Sequence, residues 1–443
     1  MNIKQFEYKP LSHYSYAIIS DGKMAVIDPE RDPQQYYDFA KTNNAKISAI
    51  IQTHPHADFV SSHLEIHKDT GATIYNSEKL GADYPHKSFD DGDTISLGKI
   101  TLKAINTPGH SPDSITIVAT EGDKTAMFTG DTLFIGDVGR PDLRESVGNM
   151  TAKREELAEM MFDTMTTKFN DLPDDTVVYP AHGAGSLCGK NLSEAASSTL
   201  GDERMGNWAF KDQSKEQFMN TLLDGQPFIP SYFGFNVDIN KAGADDLDPT
   251  LDKIPFEENT TATGLIIDMR DEASFKKGHL KGSINIQADS DTAKFETWIG
   301  SIVAPKEKFT LVIDNKENKD KLLNRLAKIG YEKQVIKVIT LSDENLVKTK
   351  TLDLADFKKN PDNYTIVDIR NQSEIEDGKF FKKALEHPLY DLRDTASKIP
   401  TDKPIVVHCA GGYRSAAGSS ILENEMQGVT VYDLSDAIEE FKD

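Results

Sequence analysis

The chain has 443 residues, of which 28% are charged, and a formal net charge of −22; such a length exceeds one ordinary core and implies about three domains. The acidic balance argues against nucleic acid as a partner, because phosphate binding needs clustered Lys and Arg, and no run of about 18 apolar residues is present to span a membrane. Only two cysteines, Cys188 and Cys409, occur, which argues against a disulfide framework and leaves thiol chemistry as their role. The start MNIKQFEYKP lacks the basic and then apolar pattern of a signal peptide, so a cytoplasmic protein is expected.

In chain order, residues 1 to about 185 alternate β-rich runs with turn signals. YAIIS, MAVID, ISAIIQT, ATIYN, ITLKAIN, SITIVAT, TAMFTG and TVVYP are the predicted strands, with helices near 33–43, 60–69 and 151–169. From Gly185 to about Leu247 the pattern turns helical and then irregular through GQPFIPSYFGFNV, which reads as a connector. Two related stretches follow, TGLIIDMRDEASFKKGHLKGSINI and NYTIVDIRNQSEIEDGKFFKKALEHPL. Each is an apolar strand closing on Asp-x-Arg, and Asp268 and Asp368 lie 100 positions apart. A repeat of that period means two copies of one domain. The expected division is 1–247, 248–347 and 348–443.

The chemistry-bearing motifs sit just past predicted strands. QTHPHADFVSSH places His54, His56 and Asp58 in alternation after an apolar run; His110 follows in NTPGHSPDS, Asp131 in FTGDTLF and His182 in YPAHGAG. Loops of this kind converge imidazole and carboxylate donors on one ion. Phe59 cannot donate to a metal, and core packing is its simplest role. His63 is expected on a helix surface, with a role at the mouth of the cleft as the alternative.

On THPHAD, TPGHS, TGD and AHG, in that order, this part of the chain resembles the metallo-β-lactamase superfamily, an αβ/βα sandwich of two mixed sheets. GDVGRPDL at 136–143 is similar to the stretch that follows the metal-binding Asp in its persulfide dioxygenases. That resemblance implies one iron, Fe(II), bound by His54, His110 and Asp131, a set that leaves positions open for substrate and O2 together. It also makes His56, Asp58 and His182, which would help hold a second metal in dinuclear relatives, partners of the ligands or of the substrate. Arg140 pairs either with a substrate charge or with a structural Asp. Cys188 either lies at the iron-bearing cleft, where it could carry a persulfide, or is a small buried residue at the start of a helix.

IVVHCAGGYRS puts Cys409 at the end of a buried-type strand, ahead of a glycine-bearing loop and a helix. The N–H groups of Ala410, Gly411, Gly412, Tyr413 and Arg414 can curl around the sulfur, and the helix N-terminus and Arg414 favour a thiolate or persulfide anion. Through VDIR, CAGGYRS and VTVYDL the second copy resembles rhodanese, a doubly wound α/β sulfurtransferase domain, with the short C-x4-R loop that suits sulfane sulfur rather than phosphate. Ser435–Asp436 stands where a Gly pair is common. The first copy resembles rhodanese through IIDMR and GHLKGSINI, but VIDNKENKDK has Asp314 where the second has Cys409, so it is expected to be inactive.

Taken together, the chain resembles the family of CstB-type fusions, a persulfide dioxygenase followed by an inactive and an active rhodanese domain, acting in sulfide detoxification. The resemblance implies oxidation of a low-molecular-weight thiol persulfide by O2 to sulfite, and transfer of sulfane sulfur through Cys409 to sulfite to give thiosulfate. A homo-oligomer is common among such relatives. The alternatives are a zinc thioester hydrolase resembling glyoxalase II fused to a rhodanese, and a non-enzymatic module that scaffolds a sulfurtransferase.

Overall fold

Tyr14, Tyr16 and Ile18 point to one face of a strand and Ala17 to the other, and both faces are buried. A strand of that kind has to lie between two layers. The computed structural model describes residues 1–144, 153–288, 290, 293–426 and 428–442. They form two compact units, Met1–Asp248 with Ala327–Gly330, and Pro249–Leu326 with Tyr331–Asp443.

The first unit holds two six-stranded sheets. One runs in chain order through β1 (Asn2–Tyr8), β2 (His13–Ser20), β3 (Lys23–Ile27), β4 (Lys46–Ile51), β5 (Thr73–Asn76) and β6 (Lys87–Ser88). The other is built from β7 (Thr94–Leu97), β8 (Ile100–Asn106), β9 (Ile115–Glu121), β10 (Lys124–Gly130), β11 (Val177–Pro180) and β12 (Ser198–Thr199). Both are mixed: β3 to β6 pair in parallel, as do β10 and β11, while the remaining neighbours are antiparallel.

The inner faces meet through residues two apart, such as Ala25 and Ile27, Leu102 and Ala104, Ile115, Ile117 and Ala119. The outer face of the first sheet packs Val26, Ile50 and Ile74 against Tyr36 and Ala40 of helix Gln34–Thr42 and Ile66 of helix His63–Thr70. The outer face of the second packs Met127 and Val178 against Met161 and Met165 of helix Arg154–Thr167 and Phe218 of helix Lys215–Leu223. This is the αβ/βα sandwich expected. All eight predicted strands form; β1 and the short strands were not anticipated, and residues 151–152 of the third predicted helix lie outside the described residues. The stretch read as an irregular connector supplies the helix Tyr232–Ala242.

The second unit contains the two copies. A five-stranded parallel sheet carries Ile266–Asp268 beside Phe309–Val312, and a four-stranded parallel sheet carries Thr365–Asp368 beside Ile405–His408. The repeated Asp-x-Arg has the same work in each. Arg270 donates to Asp268 at 2.7 Å and to the Gly278 carbonyl at 2.9 Å, and Arg370 donates to Asp368 at 2.7 Å and the Gly378 carbonyl at 2.9 Å. A buried ion pair thus ties the end of one strand to the chain beyond the following helix. Among the described residues no helix is long and apolar enough to cross a membrane.

Ile117 is fully buried between the two sheets, so Ile117→Ala should destabilise the first unit by about 2–5 kcal/mol. Urea unfolding should show an earlier transition for that unit with the other unchanged; an unaltered midpoint would place the core elsewhere.

Candidate functional site

Four loops leave the strand ends at one rim of the sandwich: residues 52–62 after β4, 107–114 after β8, 131–140 after β10 and 181–188 after β11. They bring ligand atoms of His54, His110 and Asp131 within 4.8 Å of one another, all buried. The hydrogen bonds behind the rings fix their tautomers. His110 Nδ1 lies 2.9 Å from the Arg140 carbonyl oxygen and must donate to it. His54 Nδ1 meets Thr53 Oγ1 at 3.0 Å, and that hydroxyl already donates to Asp28 Oδ2 at 2.7 Å, so His54 Nδ1 donates too.

Both rings therefore turn an Nε2 lone pair inward, 3.8 and 3.5 Å from Asp131 Oδ2. That oxygen is buried and has no hydrogen-bond partner among the described residues. Three acceptors facing one point with no proton between them form a cation site. Burial opposes a charge on Asp131, but His182, His54 and His110 together hold its carboxyl well below the usual range; burial also keeps the His54 imidazole well below its ordinary pKa and hence neutral.

Beside this trio, His182 bridges two carboxylates, with Nδ1 2.8 Å from Asp131 Oδ1 and Nε2 2.8 Å from Asp58 Oδ2. Burial would make its imidazole harder to protonate, yet the two carboxylates raise its pKa well above the ordinary value. Cys188 joins this group: the ligand atoms of Asp58, His182 and Cys188 also fall within 4.8 Å of one another. Burial, and then Asp131 and Asp58, push the Cys188 thiol well up, so it is held as S–H beside the carboxylates. His56 Nε2 lies 3.1 Å from Asp28 Oδ1 without the alignment of a hydrogen bond. The ring of Phe59 packs against those of His56, at 4.3 Å, and His13, at 3.8 Å.

Three residues at the site were invisible in the sequence. His13, at the head of β2, is buried 5.9 Å from the His56 ring and 5.7 Å from the His182 ring. Asp28 anchors Thr53 through both its backbone N–H, at 2.8 Å, and its hydroxyl. Asn240, on helix Tyr232–Ala242, donates to the carbonyls of His56 and Phe59 at 2.8 and 2.7 Å and clamps the HxHxD loop. No motif marks the first two, whose signal was only a polar residue at a strand end, and Asn240 lay in the stretch read as irregular.

Arg140 is fully buried, and its guanidinium is engaged by Asp142 at 2.6 and 2.7 Å; its carbonyl, not its charge, faces the site. Gly139 has no room for a side chain, since a Cβ there would lie 1.8 Å from the Asp131 carbonyl oxygen. His63 corrects an expectation. It opens its helix but is completely buried against Tyr84, with rings 4.5 Å apart, and burial lowers its pKa to about 3. A helix's first turn packed against a neighbouring loop escapes the surface that periodicity assigns it.

In the second unit Cys409 follows Ile405–His408 and is buried, and the Gly412 N–H points at its sulfur at 3.2 Å. Gly412 has φ +95°, and a Cβ there would meet the Asp436 nitrogen at 2.9 Å. Of the N–H groups expected around the sulfur, from Ala410, Gly411, Gly412, Tyr413 and Arg414, that of Gly412 donates to it. Arg414, expected to face the sulfur, also makes a two-pronged pair with Glu374 at 2.6 and 2.7 Å. Ser435, where glycine is common, adopts φ +51° and so takes the left-handed conformation a glycine would. At the corresponding loop of the first copy, Asp314 lines a hollow of about 100 Å³ with Arg270 and Asn318.

Residues 8–182 match the model of the metallo-beta-lactamase superfamily, and residues 252–340 and 353–443 that of the rhodanese-like domain. The structure is similar to the crystal structure of a metallo-beta-lactamase from Staphylococcus aureus subsp. aureus COL, with 32% identity and a TM-score of 0.68, over 77% of this chain and 99% of that one. The cytoplasmic hydroxyacylglutathione hydrolase of Arabidopsis thaliana is 31% identical over 38% of this chain and 63% of its own length. The mitochondrial persulfide dioxygenase ETHE1 of Bos taurus is 27% identical over 38% and 62%. The chain thus spans less than two thirds of either of these two relatives.

Gly139→Ala should displace Asp131 and weaken metal binding by about 10- to 100-fold, measured by competition with a chromophoric chelator; undiminished affinity would contradict the ligand role of Asp131. His63 should stay neutral in NMR titrations from pH 8 to pH 5. Its folded pKa of about 3 lies below the ordinary 6.5, so as pH falls through 6.5 the unfolded chain takes up the proton first and stability falls by about 1.4 kcal/mol per pH unit. His63→Phe should flatten that slope, and an unchanged slope would remove His63 as its source.

Proposed function

Because the chain belongs to the metallo-beta-lactamase superfamily and carries two rhodanese-like domains behind that fold, we propose that it is a CstB-type persulfide dioxygenase joined to a sulfurtransferase. Its substrates are a low-molecular-weight thiol persulfide, O2 and sulfite, and its end product is thiosulfate. The observation that carries this reading is one metal-ready trio, His54, His110 and Asp131, in a chain that also presents the Cys409 loop, with Phe59, which cannot donate to a metal, packed against His56 and His13. Iron(II) held by that trio would supply the redox chemistry that imidazole and carboxylate lack, with coordination positions to spare for small ligands.

The rest is done by the chain's own groups. Thr53 and the Arg140 carbonyl fix the orientations of His54 and His110, so that the lone pairs are set before any ion arrives. His182, charged and with both N–H groups engaged by Asp58 and Asp131, offsets the buried carboxylates beside the trio and holds Asp131 in place. Near-complete burial of these side chains excludes water that would otherwise compete with a reactive sulfur species. In the second unit the Gly412 N–H stabilises charge on Cys409 as it accepts and passes on sulfane sulfur, which splits one transfer into two easier steps. The Asp314 copy has no thiol to take part. Carrying both activities in one chain raises the effective concentration of sulfite near Cys409, and a cytoplasmic homo-oligomer is the proposed setting.

A second reading rests on a specific observation too. Asp58, His182 and Cys188 could hold a second ion next to the first, and hydroxyacylglutathione hydrolases are relatives at 31% identity; two zinc ions there would suit thioester hydrolysis.

Cys409→Ser should leave O2 uptake on a thiol persulfide within about twofold of the parent, since a surface or distant change seldom reaches another site, while the product shifts from thiosulfate to sulfite. An unchanged thiosulfate yield, after correction for the uncatalysed reaction of sulfite with persulfide, would refute the role of Cys409.

A further inference from the structure

The cysteine-free copy touches the Cys409 loop at successive points. The Tyr413 hydroxyl donates to the Gln287 carbonyl at 2.8 Å, and Gln287 lies just past strand Ser283–Asn285 of that copy. Arg414 sits with its guanidinium carbon 5.5 Å from the ring of Trp298, on helix Phe295–Ile302. Behind Gly412, whose close neighbours are Ser435 and Asp436, the Ser435 hydroxyl donates to Glu272 at 2.5 Å and Lys276 pairs with Asp433 at 2.9 Å. Glu272 and Lys276 both belong to the cysteine-free copy.

These contacts fall on the part of the loop that must handle charge. Transfer from a Cys409 persulfide to sulfite brings two anions together. Sulfite's sulfur lone pair attacks the outer sulfur, the old S–S bond breaks, the new one forms thiosulfate, and the electron pair returns to Cys409 as thiolate. No other oxidant or reductant is consumed. Arg414 is the loop's own cation, and Glu374 already draws on two of its nitrogens. Where the guanidinium lies therefore decides how much of its field reaches the acceptor. A planar guanidinium held between a carboxylate at its edge and an aromatic face has little freedom left.

We propose that the cysteine-free copy is a working wall of the Cys409 site, in which Trp298 and the Gln287 carbonyl position Arg414 and Tyr413 to receive an anionic sulfur acceptor. This rests on the sulfur-transfer reading of Cys409. The prediction separates an anionic acceptor from a neutral one. In the full-length protein, Trp298→Leu keeps an apolar side chain and loses the aromatic face. It should raise KM for sulfite by about tenfold, near the upper range of a desolvated cation–π contact, with little change in kcat and with transfer to dithiothreitol, a neutral thiol at neutral pH, unaltered. Trp298→Phe should restore most of the loss.

Equal losses with both acceptors, or no rescue by Trp298→Phe, would reduce Trp298 to packing and overturn the proposal, as would no loss with either. If Trp298→Leu unfolds the second unit, Tyr413→Phe carries the same comparison, with a smaller rise in KM for sulfite alone. Failure of the underlying reading looks different: Cys409→Ser would then leave transfer to both acceptors intact.

Discussion

A carboxylate buried among three imidazoles is the constraint around which the first unit is arranged. Asp131 sits at the end of β10, one of the central strands of its sheet, with His182 on one oxygen and His54 and His110 facing the other. Burying such a charge is tolerable only where counter-charge is guaranteed. His182 supplies part of it and a metal cation the rest. Once Asp131 is fixed there, other features follow: Gly139, because the loop returns so close to the Asp131 carbonyl that no Cβ fits; Arg140, because its carbonyl must reach His110 and its own charge then needs Asp142; and Asn240, because the HxHxD loop must be held still against the rim.

The second unit is governed by a different economy. Two copies keep the same Asp-x-Arg lock, down to the glycine carbonyl that each arginine reaches, yet only one keeps a thiol. The copy with Asp314 in place of the nucleophile has a fold maintained by contacts unrelated to chemistry. What remains is surface, and that surface meets the loop of its neighbour through Gln287, Trp298, Glu272 and Lys276. Retention of the fold without the cysteine is then physically intelligible.

Much of this was legible in the sequence, for reasons that also explain what was not. Strands buried on both faces read as continuous apolar runs, so the sandwich strands stood out. Metal-ready residues stood just past those strands, and the loops between were short enough for a motif to mark them. His13, Asp28 and Asn240 act across long sequence separations, and nothing local distinguishes them from ordinary polar residues. His63 followed the wrong rule because periodicity assigns faces to a helix without knowing what packs on its first turn. Arg414 was read for its proximity to Cys409; its pairing with Glu374, forty positions away, is a tertiary fact.

The central claim is that the His54–His110–Asp131 centre oxidises sulfur rather than hydrolysing a thioester. The most direct measurement places the iron-loaded protein in an oxygen electrode with glutathione persulfide and, in a parallel cell, offers it S-lactoylglutathione. The account predicts consumption of one O2 for each persulfide oxidised and no hydrolysis of the thioester. Thioester cleavage by zinc-loaded protein, with no oxygen uptake by the iron form, would contradict it.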